Sequence, residues 1–183
     1  MTGPREIWTI GHWTHPVADF LELLHPRAIA SLVDVRAHPG SRRSPQFGSD
    51  AMAAWLADDG IDYRRLAALS GRRPRQDADP SINAGWQNSS FKNYADYTLT
   101  DEYRRGVEEL TAIAASRRTA IMCGEPVPWR CHRLLISNTL VVQGWAVHHV
   151  MPDGSVREHV LGQWGAPATL EGEYLTYPDE ASD

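Results

Sequence analysis

Apolar positions along this chain keep two rhythms, and the rhythms alternate. Short runs at residues 7–10, 31–36, 61–66, 119–123 and 145–150 carry Val, Ile and aromatic residues, most of them bounded by Gly, Pro or polar clusters. Buried strands read this way. Between them the spacing changes to three and four, as in Val17, Phe20, Leu21 and Leu24, or Tyr103, Val107, Leu110 and Ile113. That spacing lays one apolar stripe along a helix. Met52, Trp55 and Leu56 mark a further helix between the second and third strands. The first strand, helix and strand fit the length of a βαβ unit. The whole pattern predicts an α/β fold: a three-layer sandwich with a mostly parallel central sheet of about five or six strands and helices on both faces.

Punctuation refines the picture. Thr14, Ser49 and Thr100 stand where helix N-caps belong, Pro16 suits a first turn, Pro26 ends the first helix and Gly60 the second. Leu134, Leu135, Ile136, Leu140, Val141 and Val142 leave their helix little polar face, so it should be enclosed between the sheet and a second layer. Pro152-Asp153-Gly154 is a turn signal, which makes residues 156–160 an antiparallel edge strand near the C-terminus. Residues 67–93 show no period and read as a lid loop with Trp86 and Phe91 in it. One α/β domain over residues 1–162 is expected, followed at 163–183 by an acidic tail, irregular or disordered.

Charge sharpens that division. Of the net charge of −5, five acidic residues and no basic ones lie in 171–183, which leaves residues 1–170 neutral. A nucleic-acid backbone is therefore not favoured as the main partner. Basic side chains in the body are nearly all Arg, in pairs such as Arg42-Arg43 and Arg72-Arg73. No run is long and apolar enough for a membrane span and the start lacks a secretion-signal pattern, so a cytoplasmic protein without a membrane partner is expected. Two cysteines are too few for a disulfide framework.

Candidate chemistry gathers between residues 119 and 144. Cys123 should end a strand, and Arg130, Cys131, His132 and Arg133 should fall in the first turn of the next helix, where free N–H groups favour an anion. If parallel strands also end near Ile10 and Arg36, then His12, Asp34 and Arg36 meet that group at the same sheet edge. Cys123 beside a helix N-terminus and two arginines is a candidate thiolate nucleophile, with Glu125 and His12 as proton carriers. Arg36, held by Asp34, and Arg133 suit bidentate binding of a phosphate or carboxylate. Arg130, Cys131, His132 and Ser41 complete the anion-binding set, with Phe91 and Tyr94 as a closing wall. A disulfide between Cys123 and Cys131, or zinc held by Cys123, Cys131, His132 and His12, remains open. No metal site is predicted, because the ligand spacing matches no common zinc pattern. Neither glycine-rich phosphate-binding signature is present, so no cofactor is predicted.

Thr9-Ile10-Gly11-His12, Leu32-Val33-Asp34-Val35-Arg36, the spaced Pro39, Ser41, Pro45 and Phe47, Phe91 with Tyr94 and Tyr97, Met122-Cys123-Gly124-Glu125-Pro126 and Cys131-His132-Arg133 together resemble the bacterial and archaeal family catalogued as domain of unknown function 488. The resemblance spans about residues 7 to 160 and implies a compact α/β domain without a settled reaction. Gly124 stands where the family leads one to expect Ala, and Trp13 where a small hydroxyl residue is expected.

The leading expectation is an enzyme, a thiol- or Glu/His-dependent transferase or hydrolase, acting on a phosphorylated or nucleotide-like small anion. The alternatives are a nucleic-acid-pathway binding module using Arg-rich loops, with Trp86 and Phe91 as stacking platforms, and a Cys/His metal-binding protein. The sequence leaves the oligomeric state open.

Overall fold

A computed structural model describes residues 4–40 and 42–179. Five parallel strands, β1 (Glu6–Gly11), β2 (Ser31–Asp34), β3 (Asp62–Arg65), β4 (Thr119–Cys123) and β5 (Ala146–Val150), form a sheet with the antiparallel β6 (Val156–Glu158) at one edge. The order is β3-β2-β4-β1-β5-β6, so β4 is inserted between the first two strands of the chain. Period-two alternation sends side chains to opposite faces. Trp8, Ile10, Leu32, Ala120 and Met122 pack with helices α1 (Val17–Leu24) and α2 (Ser49–Asp58). Ile7, Val33, Val35, Ile121 and Cys123 pack on the other face, with α3 (Ser89–Tyr97), α4 (Asp101–Ser116) and α5 (Arg133–Val142). This is the expected three-layer α/β architecture with a C-terminal antiparallel edge.

Neighbouring strands β1 and β4 send their crossovers to opposite faces, α1 to one and α5 to the other. A crevice opens beyond their carboxyl ends, which is where open α/β sheets bind ligands.

Local signals held unevenly. Thr100 caps α4 by accepting from the Tyr103 N–H. Thr14 and Ser49 do not cap: Pro16 and Gly48 precede α1 and α2, and neither helix start has a side-chain cap. The helix following β4 also begins later than expected. Arg130 ends a 3-10 turn (Pro128–Arg130), Cys131 is extended, His132 is the N-cap and only Arg133 lies inside α5.

Two stretches taken as irregular have structure. Residues 67–93 contain a 3-10 turn (Ala67–Leu69) and the first residues of α3, where Asn88 caps Ser90 and Phe91. The Tyr94 hydroxyl donates to the Leu69 carbonyl (2.8 Å) and that of Tyr97 to the Ala68 carbonyl (2.6 Å), so the start of this stretch is pinned rather than free. Within the acidic tail, expected to be irregular or disordered, residues 169–176 instead form a hairpin of β7 (Thr169–Glu171) and β8 (Tyr174–Thr176), while 180–183 lie outside the described residues. Leu175 and Tyr177 are buried in the α5 core, and with Trp86 and Ala166 they supply the second layer that the apolar helix required.

Candidate functional site

Carboxyl ends of the parallel strands surround a cleft of ≈ 620 Å³. His12 follows β1, Arg36 follows β2, and Cys123 ends β4 with Glu125, Arg130, Cys131 and His132 close behind; all seven line the cleft. Phe91 and Tyr94 of α3 form one wall. The remote segments therefore do converge. His12 N–H donates to the Cys123 carbonyl (2.9 Å) and Trp13 N–H to that of Gly124 (3.1 Å), which ties the β1 and β4 loops together. Ser41 lies outside the described residues.

Asp34 and Arg133 stand apart from the other candidates. Asp34 is fully buried and accepts from Arg36 Nε (2.9 Å) and Nη2 (2.7 Å), from the Arg36 N–H and from the Tyr63 hydroxyl (2.5 Å). It fixes the Arg36 guanidinium at the cleft wall and does not itself line the cleft. Arg133, expected to bind an anionic ligand, is 0% exposed. Its Nε donates to Cys123 Sγ (3.0 Å), Nη1 to Thr9 Oγ1 (3.1 Å) and Nη2 to the Glu125 carbonyl (2.8 Å). A buried guanidinium needs a negative partner. Among the described residues no carboxylate pairs with Arg133, which leaves the cysteine sulfurs.

The two thiols divide that role. Cys131 Sγ accepts from the Arg133 backbone N–H (3.5 Å) and lies 3.4 Å from His132 Nδ1. Burial works against ionising Cys131, but the hydrogen bond from Cys123, the Arg133 guanidinium and that backbone N–H outweigh it and bring its pKa down to about 7. Burial and the same thiol–thiol hydrogen bond push Cys123 up, against the pull of Arg133. Cys131 rather than Cys123 is thus the more acidic thiol.

The hydrogen-bond partners of both histidines fix their neutral tautomers. His132 Nε2 faces the Val35 carbonyl at 2.8 Å, and a carbonyl only accepts, so that nitrogen carries the proton and Nδ1 presents a lone pair to Cys131. His12 Nδ1 donates to the Trp13 carbonyl (2.8 Å) in the same way, which makes Nε2 its basic atom. Burial is the main reason that each pKa is lowered. Two glycines make room for the rings. A Cβ on Gly71 would sit 2.6 Å from His132 Nδ1, and one on Gly124 would sit 3.3 Å from His12 Nε2. Gly124 in place of the expected Ala therefore relieves crowding on His12. Trp13 adopts a positive φ of 44°, an uncommon conformation for a non-glycine residue, and its backbone rather than its side chain positions His12.

Behind Arg133 runs a hydrogen-bond chain that sequence reasoning missed. Asn138 sets its direction, because Nδ2 donates to the Tyr177 hydroxyl (3.0 Å) and Oδ1 must accept from His159 Nε2 (2.7 Å). His159 Nδ1 then accepts from His149 Nε2 (2.9 Å), His149 Nδ1 from the Thr9 hydroxyl (2.6 Å), and Thr9 Oγ1 from Arg133. Every member but Thr9, which is equally buried, lies on or against elements C-terminal to β4. A polar residue at an inward position of an internal strand was the available signal for His149.

Among the described residues, Arg36, Arg42, Arg43, Arg72 and Arg130 line the cleft with Glu125 as its one acidic residue. Only Arg36 and Arg130 among them belong to the anion-binding set expected from sequence; Arg42, Arg43 and Arg72 entered there as paired loop arginines. Trp86, expected as an open stacking platform, is buried between Phe91 (5.0 Å, stacked) and Tyr177 (5.5 Å). Among the described residues no three His, Cys, Asp or Glu side chains are grouped to hold a metal ion, and no helix is long and apolar enough to cross a membrane.

A family model described as "Domain of unknown function DUF488" matches residues 16–140, a span that contains every cleft residue named above except His12. No curated protein and no solved structure matches the chain.

Proposed function

The chain belongs to the DUF488 family, and from the cleft that its residues build we propose an enzyme that transfers or hydrolyses a group on a small anionic substrate through a Cys131 thiolate. One observation carries this reading: Cys131 lies between the lone pair of His132 and the backbone N–H of Arg133, on an arginine-lined cleft. His132 Nδ1 takes the thiol proton and the Val35 carbonyl holds the ring in the tautomer that can do so. Arg36 and the rim arginines draw in the anionic substrate.

The sulfur of Cys131 bonds to an electrophilic carbon or phosphorus of the substrate while the bond to the leaving group breaks, and the leaving group takes the proton held by His132. A water or acceptor hydroxyl then gives its proton to His12 Nε2, its oxygen bonds to the transferred group, and the bond to sulfur breaks. The thiolate is regenerated. Glu125, exposed at the mouth, is placed to relay protons to solvent. Cys123, first expected as the nucleophile, is the less acidic thiol and serves in this reading as a hydrogen-bond donor to Cys131.

Rapid mixing with p-nitrophenyl phosphate and p-nitrophenyl acetate tests the proposal. A burst of p-nitrophenolate, with an adduct on the peptide carrying residue 131, is expected for at least one probe and should vanish in Cys131→Ser. Turnover in Cys131→Ser equal to that of the unmodified protein would contradict it.

A further inference from the structure

A hydrolase or transferase of this kind needs one thiol, yet the chain's only two cysteines stand at the same cleft. Both are free, and Arg133 donates to both, through Nε to Cys123 Sγ and through its backbone N–H to Cys131 Sγ. Besides Arg133 and the Cys131 thiol, with which it shares a hydrogen bond, Cys123 Sγ has a weak contact with the Glu125 carbonyl, at 3.8 Å. Its partner, already within hydrogen-bond reach, sits in an extended link between a 3-10 turn and α5, outside any helix or strand that would resist the backbone adjustment a disulfide needs. We propose that Cys123 is the resolving thiol of a two-cysteine redox couple, giving the protein a hydroperoxide-reducing activity that passes through a Cys123–Cys131 disulfide. This inference rests on the reading of Cys131 as the thiolate, and not on the nature of the anionic substrate.

The step balances with a hydroperoxide as oxidant. The Cys131 thiolate attacks the distal peroxide oxygen, the O–O bond breaks, a sulfenic acid forms, and the leaving alkoxide departs as an alcohol with the proton stored on His132. Cys123 sulfur then bonds to Cys131 sulfur, the S–O bond breaks, and the hydroxide leaves as water with the Cys123 proton. A small-molecule dithiol reduces the disulfide and is itself oxidised. The fold makes that return easy. In the disulfide state Arg133 has no thiolate to face, and a buried guanidinium without an anionic partner raises the free energy of the oxidised form. A readily reduced disulfide is a catalytic or regulatory one rather than a structural one.

The full chain, reduced and then treated with stoichiometric tert-butyl hydroperoxide, provides the test. Both thiols should disappear together, the monomer should lose the mass of two hydrogens, one peptide should link residues 123 and 131, and dithiothreitol should restore both thiols. In Cys123→Ser the reaction should halt at a sulfenic acid on Cys131 that dimedone traps. Identical products from Cys123→Ser and the unmodified protein, or linkage only between chains, would overturn the resolving role. Iodoacetamide labelling of Cys131 in the same samples separates the two failures. A Cys131 that labels rapidly but forms no disulfide removes this inference alone, whereas one inert to both reagents removes the thiolate reading as well.

Discussion

At the floor of the cleft the main polar atoms have fixed partners, while at its rim the charged groups stand on exposed loops. From Arg133 the hydrogen bonds run one way through Thr9, His149, His159 and Asn138 to Tyr177, all buried. Arg42, Arg43, Arg72 and Arg130 are exposed around the mouth. The difference teaches where each kind of chemistry can live. Holding a thiolate beside a guanidinium takes fixed geometry, because burial disfavours both charges and a buried polar network is strong only when fully satisfied. Attracting an anion from solvent takes charge that water can reach, and such charge adds little to stability.

Arg133→Lys should break the contrast most severely. An ammonium keeps the charge but not the three-way fork, so Thr9, Cys123 and the Glu125 carbonyl cannot all be satisfied. A loss of about 3–5 kcal/mol is expected in urea unfolding, with the Cys131 pKa moving up toward the ordinary thiol value of about 8.5.

Acid attacks the same floor through its imidazoles. Burial lowers His149 to about 2 and His159 to about 4, while unfolded histidine titrates near 6.5. Between those values the unfolded chain binds protons that the native one refuses, so stability is present above pH ~6.5 and falls as pH drops, by about 1.4 kcal/mol per pH unit for each histidine. Urea midpoints from pH 7 to pH 5 should show this slope, and His159→Gln should flatten it.

Thr9→Val should cost about 1–3 kcal/mol, since it leaves both Arg133 Nη1 and His149 Nδ1 without their partner. Thr9→Ser should restore both the stability and the acidity of Cys131. A merely steric role for Thr9 predicts the reverse order of the two variants.

Rim substitutions should act on the other side of the comparison. Arg72→Gln and Arg130→Gln should change stability by less than about 0.5 kcal/mol. Each should nevertheless slow labelling of Cys131 by anionic iodoacetate relative to neutral iodoacetamide by about 2-fold, and added salt should erase the difference.

What the sequence revealed follows the same line. Parallel strands buried on both faces have to be apolar, and their carboxyl ends have to carry the loops, so the sheet and the meeting of His12, Arg36 and Cys123 were legible in residue order. Helix α3 was not, because its buried face is made of Tyr94 and Tyr97 among polar residues and gives no apolar stripe. The β7–β8 hairpin was hidden in an acidic tail whose buried apolar side chains there are only Leu175 and Tyr177. Nor does sequence say which way an arginine at a helix start will turn. Arg133 points inward to Cys123, and the hydrogen bond between the two thiols is what sets Cys131 below Cys123 in pKa.

The most direct test of the account is the pH dependence of Cys131 labelling, measured with iodoacetamide and iodoacetate on the same preparation of Cys123→Ser and of the unmodified protein. The account predicts a midpoint near 7 in the unmodified protein, a higher one once the Cys123 thiol is gone, and a preference for iodoacetate beyond that of free cysteine. A midpoint at or above about 8.5, the value of an ordinary thiol, with no preference for the anionic reagent, would contradict it.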